Sequence, residues 1–223
     1  MVEKLHISYN QIHESLRSAV IRHRINEEFQ PDIMIAIGGG GFIPARILRT
    51  FLEKRNNKNI PIQAIGLSLY EELEQYDKEN EQLQNQRTDS GSVTPSVPPP
   101  PQVTKTQWLN FGGSDSLANL AGRNILIVDE VDDTRQTLSY AVQELLRDIE
   151  KQEKATPGHK PTKLGVFVLH NKVKQKKASL PDDIMKNYFA CVDMPDHWLV
   201  YPWDAIDIEE HTEKANRKEL VDE

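Results

Sequence analysis

Ile125-Leu126-Ile127-Val128-Asp129-Glu130-Val131-Asp132-Asp133-Thr134-Arg135-Gln136-Thr137-Leu138 carries the fold of this chain. Four apolar residues run straight into two acids, two more acids follow, and a Thr-x-x-Thr turn leads at once into the helical spacing Leu138, Ala141, Val142, Leu145 and Ile149. The pattern predicts a buried strand over 125–128, a sharp turn and the start of an amphipathic helix. Carboxylates then stand at the mouth of a sheet, where they accept hydrogen bonds from ribose hydroxyls or hold a metal through water. Beside them, unpaired N–H groups and the hydroxyls of Thr134 and Thr137 suit a phosphate at the helix N-terminus. A ribose phosphate presents both needs close together. Two acids alone would be only the solvated end of a buried strand.

Outward from this stretch, strands and helices alternate. Ser8 with Gln11 has the form of a capping box, and Ile12, Leu16, Ala19 and Val20 share one helical face, which predicts a helix over 8–29 ended by Pro31-Asp32. Ile33 to Ile37 is a strand bounded by Gly38, and Pro44 suits the first turn of a helix striped by Ile47, Leu48, Phe51 and Leu52. Residues 62–67 and 164–169 are further strands. The alternation indicates one α/β domain over 1–223, with a doubly wound, mainly parallel sheet and ligands at the carboxyl ends of its strands. There is no internal repeat.

Composition shifts over 75–104 to glutamines, charges, serines and Pro98-Pro99-Pro100-Pro101. So few large apolar residues predict a flexible loop insertion with an extended proline run. It reads as a passive loop, with a weak proline-reading partner at 95–101 as the alternative. Order is expected to resume near Thr106-Gln107-Trp108-Leu109.

With a net charge of −7 over 223 residues, the chain argues against a nucleic-acid surface and against anionic membranes. The single cysteine, Cys191, excludes an internal disulfide and reads as a small strand residue in a reducing compartment. No apolar run has membrane-spanning length and the N-terminus is not a secretory signal, so a cytoplasmic protein is expected.

Gly38-Gly39-Gly40-Gly41 follows the first of these strands. Ile43 replaces the third glycine of a dinucleotide fingerprint, and no Gly-Lys-Ser/Thr follows to make a P-loop. What remains is a run whose backbone amides can close on a polyanion without side-chain obstruction.

The 125–138 stretch resembles the phosphoribosyl pyrophosphate (PRPP) signature of type I phosphoribosyltransferases. Residues 5–74 and 105–212 resemble the fungal xanthine and hypoxanthine-guanine branches of that family. The resemblance implies that Asp129 and Glu130 hold ribose hydroxyls or the waters of Mg²⁺, and that Thr134, Arg135, Gln136 and Thr137 hold the 5′-phosphate. It implies Asp133 as the general base near N7 of a purine. Gly38, Gly39 and Gly40 would grip the pyrophosphate, often through a cis peptide. Two departures stand out. Arg135 occupies a position that is glycine in many members, where its guanidinium is a possible extra phosphate contact. Gly39 stands where many have a basic residue, whose charge Arg46, Mg²⁺ or a neighbouring subunit would replace.

Ser68-Leu69-Tyr70 resembles the opening of the family's closing loop. Asp193-Met194-Pro195-Asp196-His197-Trp198-Leu199-Val200-Tyr201-Pro202-Trp203-Asp204 resembles its purine-binding hood, here a small C-terminal segment over 170–212. Carried over, Trp198 stacks on the base, the Leu199 backbone reads its edge, and Asp204 holds a metal. Lys172 becomes the donor to O6, which favours a 6-oxopurine over adenine, while Lys174, Lys176 and Lys177 read as a solvated loop. Leu67 to Leu73, Leu169 to Lys172 and Tyr201 to Thr212 look more like the xanthine branch. The family also implies a homodimer. Two rivals are a non-catalytic PRPP- or purine-sensing regulator on the same fold and a receiver-like signalling domain. The first has no need of Asp133 beside Trp198, and the second has no use for the glycine loop.

Overall fold

A computed structural model describes residues 4–69, 103–110, 119–155 and 157–219. Its centre is a six-stranded sheet in the order β4-β3-β2-β5-β6-β7, comprising β2 (Ile33–Gly38), β3 (Ile62–Leu69), β4 (Val103–Gln107), β5 (Asn124–Asp132), β6 (Lys163–Lys172) and β7 (Tyr188–Met194). All neighbours run parallel except β3 and β4.

The apolar runs are continuous because both faces of the sheet are covered. Met34, Ala36, Leu126, Val128, Phe167 and Leu169 share one core with α1 (Tyr9–Arg22) and α2 (Phe42–Phe51). The alternate residues, such as Ile35, Ile127 and Val166, share the other with α3 (Gln136–Ala155).

Three differences from the sequence reading have physical causes. The predicted 8–29 helix begins on its capping box, with Gln11 N–H to Ser8 Oγ at 3.2 Å and Ser8 N–H to Gln11 Oε1 at 2.7 Å, but α1 stops at Arg22. Arg24 turns left-handed at φ 50°, and a π turn over Ile25–Phe29 follows. The apolar face continues through that break, because Ile25 and Phe29 bury in the same core as Ile12 and Leu16.

Second, β5 runs past Val128 and carries Asp129, Glu130 and Asp132 inside the sheet. Its partner β6 is one residue longer, so Asp129 pairs with Val168 and Asp132 with Asn171, and backbone pairing outlasts the apolar side chains. Third, Val103 and Thr104 open the antiparallel edge strand β4, so pairing with β3 takes up the last two residues of the 75–104 segment. The rest of that segment, with the proline run and Tyr70, lies outside the described residues.

Above the carboxyl ends of the strands sits a smaller unit. β1 (Lys4–His6) pairs in parallel with β8 (Trp198–Val200), and α4 (Ile208–Glu219) is tied to them by His211 Nε2, 2.9 Å from the Ile7 carbonyl. The hood assigned to 170–212 therefore includes a strand from the start of the chain.

Candidate active site

The glycine loop and the β5–α3 corner face each other across one cleft of about 500 Å³, lined by Gly38, Gly39, Gly40, Leu67 and residues 129–138. The Gly38–Gly39 peptide is cis. A Cβ on Gly40 would overlap the Glu130 carboxyl group, and one on Gly41 would lie 2.6 Å from the Ile37 carbonyl oxygen and against that of Val128. Close approach to the backbones of two strands is what Gly41 requires of glycine, whereas the Glu130 side chain opposite Gly40 can move. A side chain at Gly39 would meet open space, so the absent basic residue is not excluded by crowding. The Arg46 guanidinium reaches along α2 to Thr50 Oγ1 at 3.4 Å, away from the loop.

At the corner, the first α3 hydrogen bond runs from Ser139 N–H to the Arg135 carbonyl at 2.8 Å. The N–H groups of residues 135–138 precede that ladder and are the ones a phosphate can take. Arg135 holds φ at 69°, the left-handed conformation that glycine would adopt freely. Its side chain explains how a non-glycine persists there. Nε and a terminal nitrogen bond the buried Asp132 Oδ2 at 2.9 and 2.8 Å, Tyr188 Oη donates to the same oxygen at 2.7 Å, and the guanidinium lies 5.1 Å over the Tyr188 ring. The guanidinium is thus turned onto Asp132 rather than towards a phosphate, and Arg135 offers the cleft its backbone.

Asp129 is half-buried, with Oδ1 accepting the Glu130 N–H at 2.8 Å. Burial, with the neighbouring Glu130 and Asp132 charges, pushes its carboxyl up to about 8. Trp203 Nε1 donates to Glu130 Oε2 at 3.1 Å, and Tyr201 Oη donates to the Glu130 carbonyl at 3.4 Å. Tyr201 stacks on Trp203 at 4.7 Å and meets Nδ1 of the buried His170 at 2.9 Å. Burial holds His170 neutral, its pKa lowered to about 4. This chain locks the hood to the strand end that bears the acids.

Among the described residues no three His, Cys, Asp or Glu converge into a metal cage. Mg²⁺ keeps several waters and takes one or two carboxylates together with substrate phosphates. Asp129 and Glu130 fit this role, because a cation would offset the burial and the mutual repulsion that raise the Asp129 carboxyl. Asp204 is exposed at the end of a 3₁₀ turn over Pro202–Asp204, and its charge joins those of Glu130 and Asp129 in pushing the Tyr201 phenol up, after burial.

Asp133 and the lysines meet at the edge of the cleft. Lys172, still within β6, places Nζ 3.2 Å from Asp133 Oδ2, and Lys174 pairs with Oδ1. Burial opposes it, but these two ammonium groups hold the Asp133 carboxyl below its ordinary value. The expected solvated lysine loop is instead specifically bonded. Lys176 Nζ donates to the carbonyls of Asp132, Asp133 and Lys172 at 2.6, 3.0 and 2.8 Å, and the Lys177 N–H donates to the Thr134 carbonyl at 3.0 Å. Lys172 and Lys176 are only 11% and 14% exposed. Sequence reasoning also passed over Asp196, which takes hydrogen bonds from Lys174 at 3.0 Å and lies two residues before Trp198. Trp198 is 60% exposed on β8, so it is not core filler, while Leu199 beside it is half-buried and paired with Leu5.

No protein-family model matches the chain. It is 52% identical over 211 residues to a hypoxanthine-guanine phosphoribosyltransferase from Schizosaccharomyces pombe, covering 93% of this chain and 92% of that one. It is 49% identical over 214 residues to xanthine phosphoribosyltransferase 1 from Saccharomyces cerevisiae, covering 94% of each. Among solved structures, a hypothetical protein from Neisseria gonorrhoeae with bound ppGpp superposes with a TM-score of 0.68 at 35% identity, covering 98% of both chains. About half the residues are shared with each yeast protein over nearly the whole length, and the chain belongs to the family of hypoxanthine-guanine and xanthine phosphoribosyltransferases.

Proposed function

We propose that this phosphoribosyltransferase joins a 6-oxopurine to PRPP, giving the nucleoside 5′-monophosphate and pyrophosphate, with xanthine as first base, then guanine and hypoxanthine. The observation that carries this reading is the cleft in which the glycine loop faces the β5–α3 corner, with Asp133 and Lys172 at its edge. ppGpp, bound by the Neisseria relative, is itself a guanine nucleotide bearing diphosphates, which fits such a cleft.

On this reading the N–H groups at the start of α3, with Thr134 and Thr137, hold the 5′-phosphate, and Gly38 to Gly40 receive the pyrophosphate. Asp129 and Glu130, with Asp204, would hold Mg²⁺, which would supply neutralisation of the leaving pyrophosphate. As C1′ gains oxocarbenium character, N9 of the base attacks from the opposite face. Trp198 stacks on the ring and the Leu199 backbone reads its edge. Lys172 donates to O6, which makes the N7 proton more acidic and draws one ammonium away from Asp133. Asp133 thereby becomes a stronger base as it takes that proton. Positioning and charge stabilisation carry the rest.

The family resemblance further supports a homodimer working in the cytoplasm, with 75–104 as an insertion in a single domain and at most a weak proline-reading partner at 95–101. No helix of the described residues is long and apolar enough to cross a membrane. The test is pyrophosphate release with PRPP and Mg²⁺, offering xanthine, guanine, hypoxanthine and adenine separately. Release with oxopurines but not adenine is expected. Release with adenine alone, or with no base, would overturn the reading.

A further inference from the structure

Two ammonium groups and two carboxylates alternate at the base edge of the cleft. Lys172 Nζ lies 3.2 Å from Asp133 Oδ2 and 3.1 Å from Asp196 Oδ1. Lys174 Nζ bonds both Asp196 oxygens at 3.0 Å and pairs with Asp133 Oδ1. Reading O6 and N7 of a purine uses Lys172 and Asp133 and leaves Lys174 and Asp196 without a task. One neutral carbonyl needs one donor, and a second, partly desolvated ammonium beside it is unfavourable unless an anion answers it. In this structure the answering anion is Asp196. It belongs to the hood segment and is 52% exposed, against 26% for Lys174.

We propose that Lys174 is a specificity-determining residue that reads the charge of the base: with Lys172 it forms a two-ammonium clamp for an ionised oxopurine, and Asp196 fills that clamp while no base is bound. The inference rests on Lys172 and Asp133 facing the base. Without Asp196 the clamp carries two positive charges against the one negative charge of Asp133, which a monoanionic base balances and a neutral base does not. Xanthine, with its second carbonyl, is the most acidic of the three oxopurines and ionises near neutral pH, whereas guanine and hypoxanthine stay neutral there. The proton it loses comes from the six-membered ring, so the imidazole N–H remains for Asp133.

Steady-state kinetics at neutral pH and saturating PRPP test this, with xanthine and hypoxanthine compared in the same preparations. Lys174→Met should raise the KM for xanthine about tenfold to a hundredfold, the range for losing a hydrogen bond to a charged partner, while hypoxanthine shifts by less than about threefold. Asp196→Asn, which removes the competing charge, should lower the xanthine KM a few-fold and leave hypoxanthine nearly unchanged. Thermal melting of each variant reports folding. Equal losses on both bases in Lys174→Met would overturn the proposal and leave Lys174 as a support for Asp133. If that variant does not fold, an unchanged or raised xanthine KM in Asp196→Asn overturns it. If the wild type turns over no base, the enzyme reading fails separately, and calorimetric binding of the two bases to the same proteins decides the clamp by the same ratio.

Discussion

The phosphate corner and the hood are built in opposite ways. The corner is one contiguous stretch, β5 into α3, whose working groups are largely backbone N–H groups set by a local turn. The hood draws on β1, the lysines after β6, and the 196–204 segment, and its proposed working groups are side chains that meet only in three dimensions. Phosphate is bound alike by any chain that presents free amides at a helix start, so a short stretch suffices. Discrimination among bases needs donors and acceptors from several directions, which no single stretch supplies.

The sharpest way to break that division is at Asp133, which lies on the boundary. Asp133→Asn should lower kcat about 100- to 10,000-fold, the span of general acid–base catalysis, with PRPP affinity changed far less. Equal, small losses in both would return Asp133 to the phosphate corner. Next comes Trp198→Ala. Because the ring is exposed, stability should hold while the KM for the base rises by the equivalent of about 1–3 kcal/mol of lost stacking and the KM for PRPP stays put. A matching rise for PRPP would show that hood and corner are not separable.

Lys176→Met probes the seam, since one ammonium holds three carbonyls of both parts. Leaving those acceptors short of a buried donor costs about 1–3 kcal/mol, and both the KM for the base and kcat should worsen by roughly tenfold. Loss of stability alone, with kinetics intact in the folded fraction, would reduce Lys176 to scaffolding.

The smallest expected effect is one of pH. The Asp129 carboxyl keeps its proton up to about 8 in the folded chain, against 3.8 for an ordinary aspartate. The folded state therefore binds that proton more tightly, and its advantage is full at low pH and is lost as pH rises from about 4 to about 8. Asp129→Asn should raise the Tm of the ligand-free protein at pH 8 by roughly 2–8 °C, do little at pH 4, and raise the KM for PRPP. A Tm gain equal at both pH values would place the effect in packing instead.

Legibility followed the same divide. The glycine loop, the strand into acids and the helix start could be read because each is local: apolar periodicity, glycine freedom and turn chemistry act over a few residues. The left-handed Arg135 was marked by its departure from glycine, but its partners Asp132 and Tyr188 were not, since 53 residues separate Arg135 from Tyr188. The lysines at 174 and 176 looked like a solvated run because composition carries no information about which carbonyls or carboxylates stand opposite.

The amino-acid order by itself determined the parallel α/β frame and the strand–turn–helix corner proposed to hold phosphate, because patterns of burial and free backbone groups are properties of neighbouring residues. Only the tertiary structure decided that β1 completes the hood, that Arg135 turns onto Asp132, and that Lys172 and Lys174 share Asp133 and Asp196. Except for Arg135 and Asp132, three residues apart and gathered by the distant Tyr188, those are matters of distance between remote side chains, and such distances exist only once the core has packed.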